Sequence, residues 1–184
     1  MARLRAGQFE RVTLPDLPGP TSFVNQVACL SGGTALAAAV GGASGSGHNA
    51  IGGTGFLLFY DGAWRLIELP AHLHGYRVDT LAAVSPTDVW LVLGSIDRPL
   101  KFVHWHDQRW DEVPPPMLPG GRTDGYSVSD MQFVSPSEGW AVANDYDGPG
   151  IVRGLIFHYR DGVWRNRNWN WHFWHQRWFG LFGD

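Results

Sequence analysis

Charge is scarce in this chain: only 17% of its 184 residues are Asp, Glu, Lys or Arg, and the formal net charge is -3. With a pI near 6.2, there is no global pull toward nucleic acid or anionic lipid. Cysteine is nearly absent. The single Cys29 excludes an internal disulfide framework, and its apolar surroundings read as a small buried hydrophobe, not a nucleophile. No apolar run is long enough to span a bilayer. The start, Met1-Ala2-Arg3-Leu4-Arg5, is basic, but the apolar core of a secretory leader does not follow it. As written, the chain is expected to stay in the cytoplasm where it is made.

What is abundant is turn chemistry and tryptophan: Gly 24, Pro 12 and Trp 10. The stretch Phe59-Tyr60-Asp61-Gly62-Ala63-Trp64 recurs as Trp105-His106-Asp107-Gln108-Arg109-Trp110 and as Tyr159-Arg160-Asp161-Gly162-Val163-Trp164. Each copy reads as a strand, a tight turn led by Asp, and a second strand opened by Trp. A second landmark lies upstream. Val84-Ser85-Pro86-Thr87-Asp88-Val89-Trp90 matches Val134-Ser135-Pro136-Ser137-Glu138-Gly139-Trp140, and Leu30 to Leu36 is a degenerate copy. Ser-Pro followed by an acidic residue is turn chemistry, because Pro presets its own φ and Ser or Asp bonds nearby backbone.

Copies about 45–55 residues apart, each with four short strands, define a repeat architecture. In the middle copy the strands are expected at Thr80–Val84, Val89–Leu93, Leu100–His106 and Arg109–Val113. Phe56 to Phe59 are consecutively apolar, as expected of a sheet buried on both faces between neighbouring sheets. The fold class is therefore all-β, a β-propeller-like arc of about three four-stranded antiparallel blades. The motifs resemble bacterial propeller repeats of the wider Kelch, WD40 and sialidase-repeat kind. The Asp turn resembles a reduced Asp-box that lacks the leading Ser or Thr and has Gln108 in place of Gly. The resemblance implies a propeller fold and says little about ligand.

The blades are expected at about 24–70, 78–115 and 128–168. Phe9 to Leu14 matches Trp64 to Leu69 and is expected as a stray fourth strand before the first blade. Residues 169–184 form an aromatic-rich tail. Closed propellers have about 4–8 blades, so three blades leave an open arc. Its bare edges and faces invite self-association, for example two arcs pairing into a ring.

Asp61, Asp107 and Asp161 recur once per blade and are expected to hold turns, not to act as a glycosidase pair. Trp64, Trp110 and Trp164, with Trp90 and Trp140, are expected as structural repeat residues, and Trp90 and Trp140 as equally buried between blades. Gly45 to Ala50 fits GxGxxA, but the glycine-rich run behind it cannot start a helix and reads as a loop. His104 and His158 share a repeat position where the first blade has Leu58, the mark of a packing site. Asn144 to Gly148 is acidic but short of the oxygen ligands calcium needs. No metal or cofactor site is identified.

In a four-stranded blade the loops between second and third strands share one face with the loops between blades. On that face lie His72, His74, Tyr76, Arg98, Arg122, Asp124, Tyr126, Asp145, Tyr146 and Arg153, the candidate ligand-binding residues. Variable polar loops on a rigid scaffold are where binding residues concentrate. The expected function is a non-catalytic binding module for a protein or glycan partner. Two alternatives stand beside it. One is a fragment of a sialidase-like or lyase-like enzyme, which needs Arg98, Arg122 and Arg153 to converge. The other, less favoured, is single-stranded nucleic-acid binding through the C-terminal Trp/Arg stretch.

Overall fold

Hairpins build this molecule, and the residues at their tips decide their register. At Asp107-Gln108 both φ angles are positive, +48° and +61°, and at Asp161-Gly162 they are +51° and +85°. Two successive left-handed residues give the mirror-image turn whose twist matches that of paired strands. The first copy differs: Asp61-Gly62-Ala63 is a three-residue turn, so Tyr60 pairs with Trp64, whereas Trp105 pairs with Trp110 and Tyr159 with Trp164. The aspartate carboxylates meet neighbouring side chains, Asp61 the Arg65 guanidinium at 2.5 Å and Asp107 the His106 ring at 3.2 Å.

The computed structural model describes residues 2–18, 22–42, 53–95, 97–146 and 152–167. Three four-stranded antiparallel sheets follow one another along the chain. The first contains β3 (Ser22–Cys29), β4 (Ala35–Gly41), β5 (Thr54–Tyr60) and β6 (Trp64–Ile67). The second contains β7 (Arg77–Ser85), β8 (Asp88–Gly94), β9 (Lys101–His106) and β10 (Arg109–Val113). The third contains β11 (Tyr126–Ser135), β12 (Glu138–Asp145), β13 (Arg153–Arg160) and β14 (Val163–Asn166). Among the described residues there is no α-helix, and no helix is long and apolar enough to cross a membrane.

The N-terminal strand is present, with a partner that its sequence did not reveal. β2 (Gln8–Arg11) pairs with β1 (Ala2–Arg5) across Ala6-Gly7, where φ is +48° and +80°. This hairpin has the turn conformation of the Asp161 hairpin, and its Leu4–Phe9 pair stands where that hairpin has Tyr159–Trp164. It has the register of the outer half of a blade but stands as a separate two-stranded sheet. Leu14 and Leu17 continue from it over the first sheet, packing against Ala37, Ala39 and Leu58.

Blades bind one another through apolar faces and through their first strands. Leu36, Ala38 and Leu57 meet Val78, Leu81, Val89 and Leu91 between the first two sheets. Trp90, Val92 and Phe102 meet Met131, Phe157, Tyr159 and Trp164 between the second and third. Each first strand carries a β-bulge, between Val24 and Gln26, Val78 and Thr80, and Val128 and Asp130. A bulge removes one residue from the ladder, and the preceding blade uses the carbonyl left beside it. The Asn25 amide donates to the Val78 carbonyl at 2.7 Å, and the Thr80 hydroxyl to that of Val128 at 3.0 Å.

Two expectations of burial are corrected. Cys29 is exposed, because alternation along β3 turns Ala28 inward and its neighbour outward. Trp90 is 0% exposed but Trp140 is 43% exposed. The two are equivalent: Trp90 stacks on His104 at 4.1 Å, and Trp140 on His158 at 4.0 Å. They differ because Trp90 faces the third sheet, whereas Trp140 faces outward past it.

Candidate functional site on the loop face

The second strands end, and the third strands begin, on the same face of the arc as the connections between blades. There the first two sheets leave a cleft of about 370 Å³ whose lining includes Gly41, Gly53, Gly75, Arg77, Gly94 and Asp97. Glycine at these strand ends has a packing cause. A Cβ on Gly41 would run into the Pro18 carbonyl, and one on Gly94 into the Asp79 carboxylate. Backbone therefore forms much of the wall, without side-chain cover at the glycines. The charged part is built from β7: Arg77 Nε donates to Asp79 Oδ1 at 2.5 Å. Nearby, the Ser95 hydroxyl donates to Asp97 Oδ1 at 2.7 Å. That bond, above all, holds the exposed Asp97 carboxyl below its ordinary range.

The sequence-derived candidates separate into two groups. Beside the cleft, Tyr76 is buried, and the cations of Arg98 and Lys101 lie 5.3 and 5.6 Å from its ring centroid. Arg98 also donates to the His74 carbonyl at 3.3 Å, and the His74 ring meets the Leu69 carbonyl at 2.9 Å. His72 lies 3.4 Å from Glu112, which Lys101 holds at 2.6 Å. These contacts make one polar, cation-bearing shelf.

The second group is on the third sheet. Arg122 bonds Asp145 at 2.5 Å, and Tyr146 accepts a bond from Ser127 at 3.2 Å. Tyr126 is buried and donates to the Pro116 carbonyl at 3.3 Å. Burial first, and the charge of Asp124 second, raise its hydroxyl far above the ordinary tyrosine range, so it stays a neutral donor. Asp124 and Arg153 are exposed. The two groups repeat a theme: Tyr76 and Tyr126 each follow a left-handed glycine. Arg98 comes within 3.6 Å of where a Cβ on Gly75 would lie, and Arg122 within 3.4 Å of the same point on Gly125. Arg98 and Arg122 are each engaged within their own group, Arg98 at Tyr76 and Arg122 at Asp145. Gly45 to Ala50, the Asp147-Gly148 end of the acidic turn, and the tail from residue 168 lie outside the described residues.

Sequence reasoning missed Arg77, Asp79 and the glycine wall. The only trace was glycine at the end of the second strand in two blades, Gly41 and Gly94.

Between the second and third sheets, His104 Nε2–H donates to Asp88 Oδ1, 2.8 Å away, while stacked on Trp90. Its proton affinity is lowered, chiefly by burial of the charged ring and also by His106, against the raising effect of Asp88 and Asp111. The unfolded chain then binds this proton more readily than the folded one. The resulting stability is complete above the unfolded value of about 6.5 and is lost as pH falls through the folded value. His104→Leu, which copies Leu58 of the first blade, should flatten the fall of urea stability as pH drops below about 6.5. An unchanged slope would show that His104 does not set it.

The three successive four-stranded sheets define a β-propeller-like arc, with a cleft on its loop face. No family model matches the chain, and no curated protein matches it in sequence. Among solved structures it is similar to the β-propeller YCF48 bound to D1 peptide, with a TM-score of 0.50 and 13% identity. The match covers 85% of this chain and 46% of that one. The chain thus spans about half the length of this neighbour, and at such identity the likeness is one of fold.

Proposed function

We propose that this chain is a non-catalytic protein-binding module that takes an extended peptide along the cleft between its first two blades. The observation that carries this reading is the glycine wall, with Gly41, Gly53, Gly75 and Gly94 beside Arg77 and Asp97. Bare backbone in a cleft suits main-chain hydrogen bonding to an extended ligand, and charged groups at its end supply selectivity. The Tyr76–Arg98 shelf next to it offers a cation and an aromatic edge for a carboxylate-bearing side chain. That YCF48 has been solved bound to a peptide supports a peptide as the class of ligand.

The experiment is to probe an array of ten-residue peptides, half of them rich in Asp and Glu, with the labelled full chain. Acidic peptides should be retained, and Arg98→Ala should weaken them about tenfold, the worth of one charge-assisted bond. Retention on a glycan array with none on peptides would move the reading to carbohydrate. Peptide binding indifferent to Arg98 would remove the shelf from the site.

A further inference from the structure

The two ends of the arc carry the two halves of one contact, each without its mate. On the outer face of the third sheet, Trp140 is 43% exposed and Val142 47%. Their register partners fix their counterparts. Trp140 pairs with His158 as Trp90 pairs with His104, and Val142 pairs with Ile156 as Val92 pairs with Phe102. Trp90, Val92 and Phe102 are all 0% exposed. The element over Trp90 is the outer hairpin of the next blade, with Tyr159 at 4.6 Å and Trp164 at 6.0 Å, together with Phe133 at 4.9 Å.

The β1–β2 hairpin reproduces that covering element. Its Leu4–Phe9 pair repeats Tyr159–Trp164, across a turn with the same left-handed conformation. Phe9, in the place of Trp164, is 80% exposed. Trp164 points back toward the preceding blade, and Trp140 points forward to where the next would be. We propose that copies of this chain join head to tail, the β1–β2 hairpin of one seating Phe9 against Trp140 of another. A contact between different patches closes into a ring when its rotation allows. Two arcs supply six four-stranded blades and two hairpins, a count compatible with propellers of about 4–8 blades. This surface is separate from the peptide cleft, so either reading can fail alone.

The test is light scattering of the full chain over a hundredfold range of concentration, with Phe9→Glu and Trp140→Glu measured alongside and their folding checked by circular dichroism. The wild type should reach about twice the chain mass, and each variant should stay at the monomer mass. Mixing the two variants should restore a dimer, since each brings the half the other has lost. A wild type that remains monomeric throughout overturns the proposal. So does a mixture that stays monomeric while both variants are folded. Residues 168–184 are the other occupant to separate: Arg167 already lies 3.2 Å from His158 on this face. Should a chain ending at residue 167 dimerise where the 184-residue chain does not, the tail and not a second copy covers Trp140, and the proposal falls.

Discussion

Trp90→Ala is expected to cost about 3–5 kcal/mol, whereas Trp140→Ala should cost no more than about 1–2 kcal/mol in dilute protein. The two residues occupy one position of the repeat and make the same stacked contact with a histidine. What differs is the second side of the ring. Trp90 is enclosed by Phe133, Tyr159 and Trp164, so its removal leaves a cavity whose lining belongs to two blades and cannot collapse without separating them. Trp140 has solvent there, and water fills what its removal leaves. Urea unfolding of both variants measures the difference. Equal losses would mean that Trp140 is covered in solution even in the monomer.

Gly55→Ala should destabilise by about 3 kcal/mol, near the upper end of ordinary overpacking. A Cβ there would lie 2.6 Å from the Val78 nitrogen and 2.7 Å from its Cγ2. Backbone cannot move aside as a flexible side chain would. The Gly55 amide also donates to the Tyr76 carbonyl at 2.6 Å, a bond that ties the third strand of one blade to the residue just before the first strand of the next. Relieving the clash would stretch that bond and widen the cleft. Gly154 supplies the control. It faces Asn144 across β12 and β13 as Gly55 faces Val40 across β4 and β5, and nothing lies within 4 Å of its missing Cβ. Gly154→Ala is therefore expected to fall within about 0.5 kcal/mol of wild type. A comparable loss at Gly154 would show that the cost at Gly55 comes from strand backbone and not from contact between blades.

Much of the architecture was legible because it is local. Tight hairpins need left-handed residues at fixed places, and the recurring Asp turn marked them. Strand alternation and the Ser-Pro turns then delimited four strands per blade, with β10 matching its expected bounds and β7 running three residues further back, to Arg77. The β1–β2 hairpin escaped notice because Ala6-Gly7 makes the same turn without Asp and without a following Trp. Composition also sufficed to read an all-β chain, since the apolar run in β5 made sense only between two sheets.

The tertiary structure decided what depends on neighbours. Trp90 and Trp140 are indistinguishable by local pattern, and only the order of blades buries one and leaves the other half open. The candidate residues of the loop face share a side by topology, yet they form two groups because Arg98 is engaged at Tyr76 and Arg122 at Asp145. The cleft was the least legible feature. Its wall is glycine backbone from four separate segments, and no side-chain chemistry marks those glycines in sequence. They become a site only when packing between two blades brings their main chains to one opening.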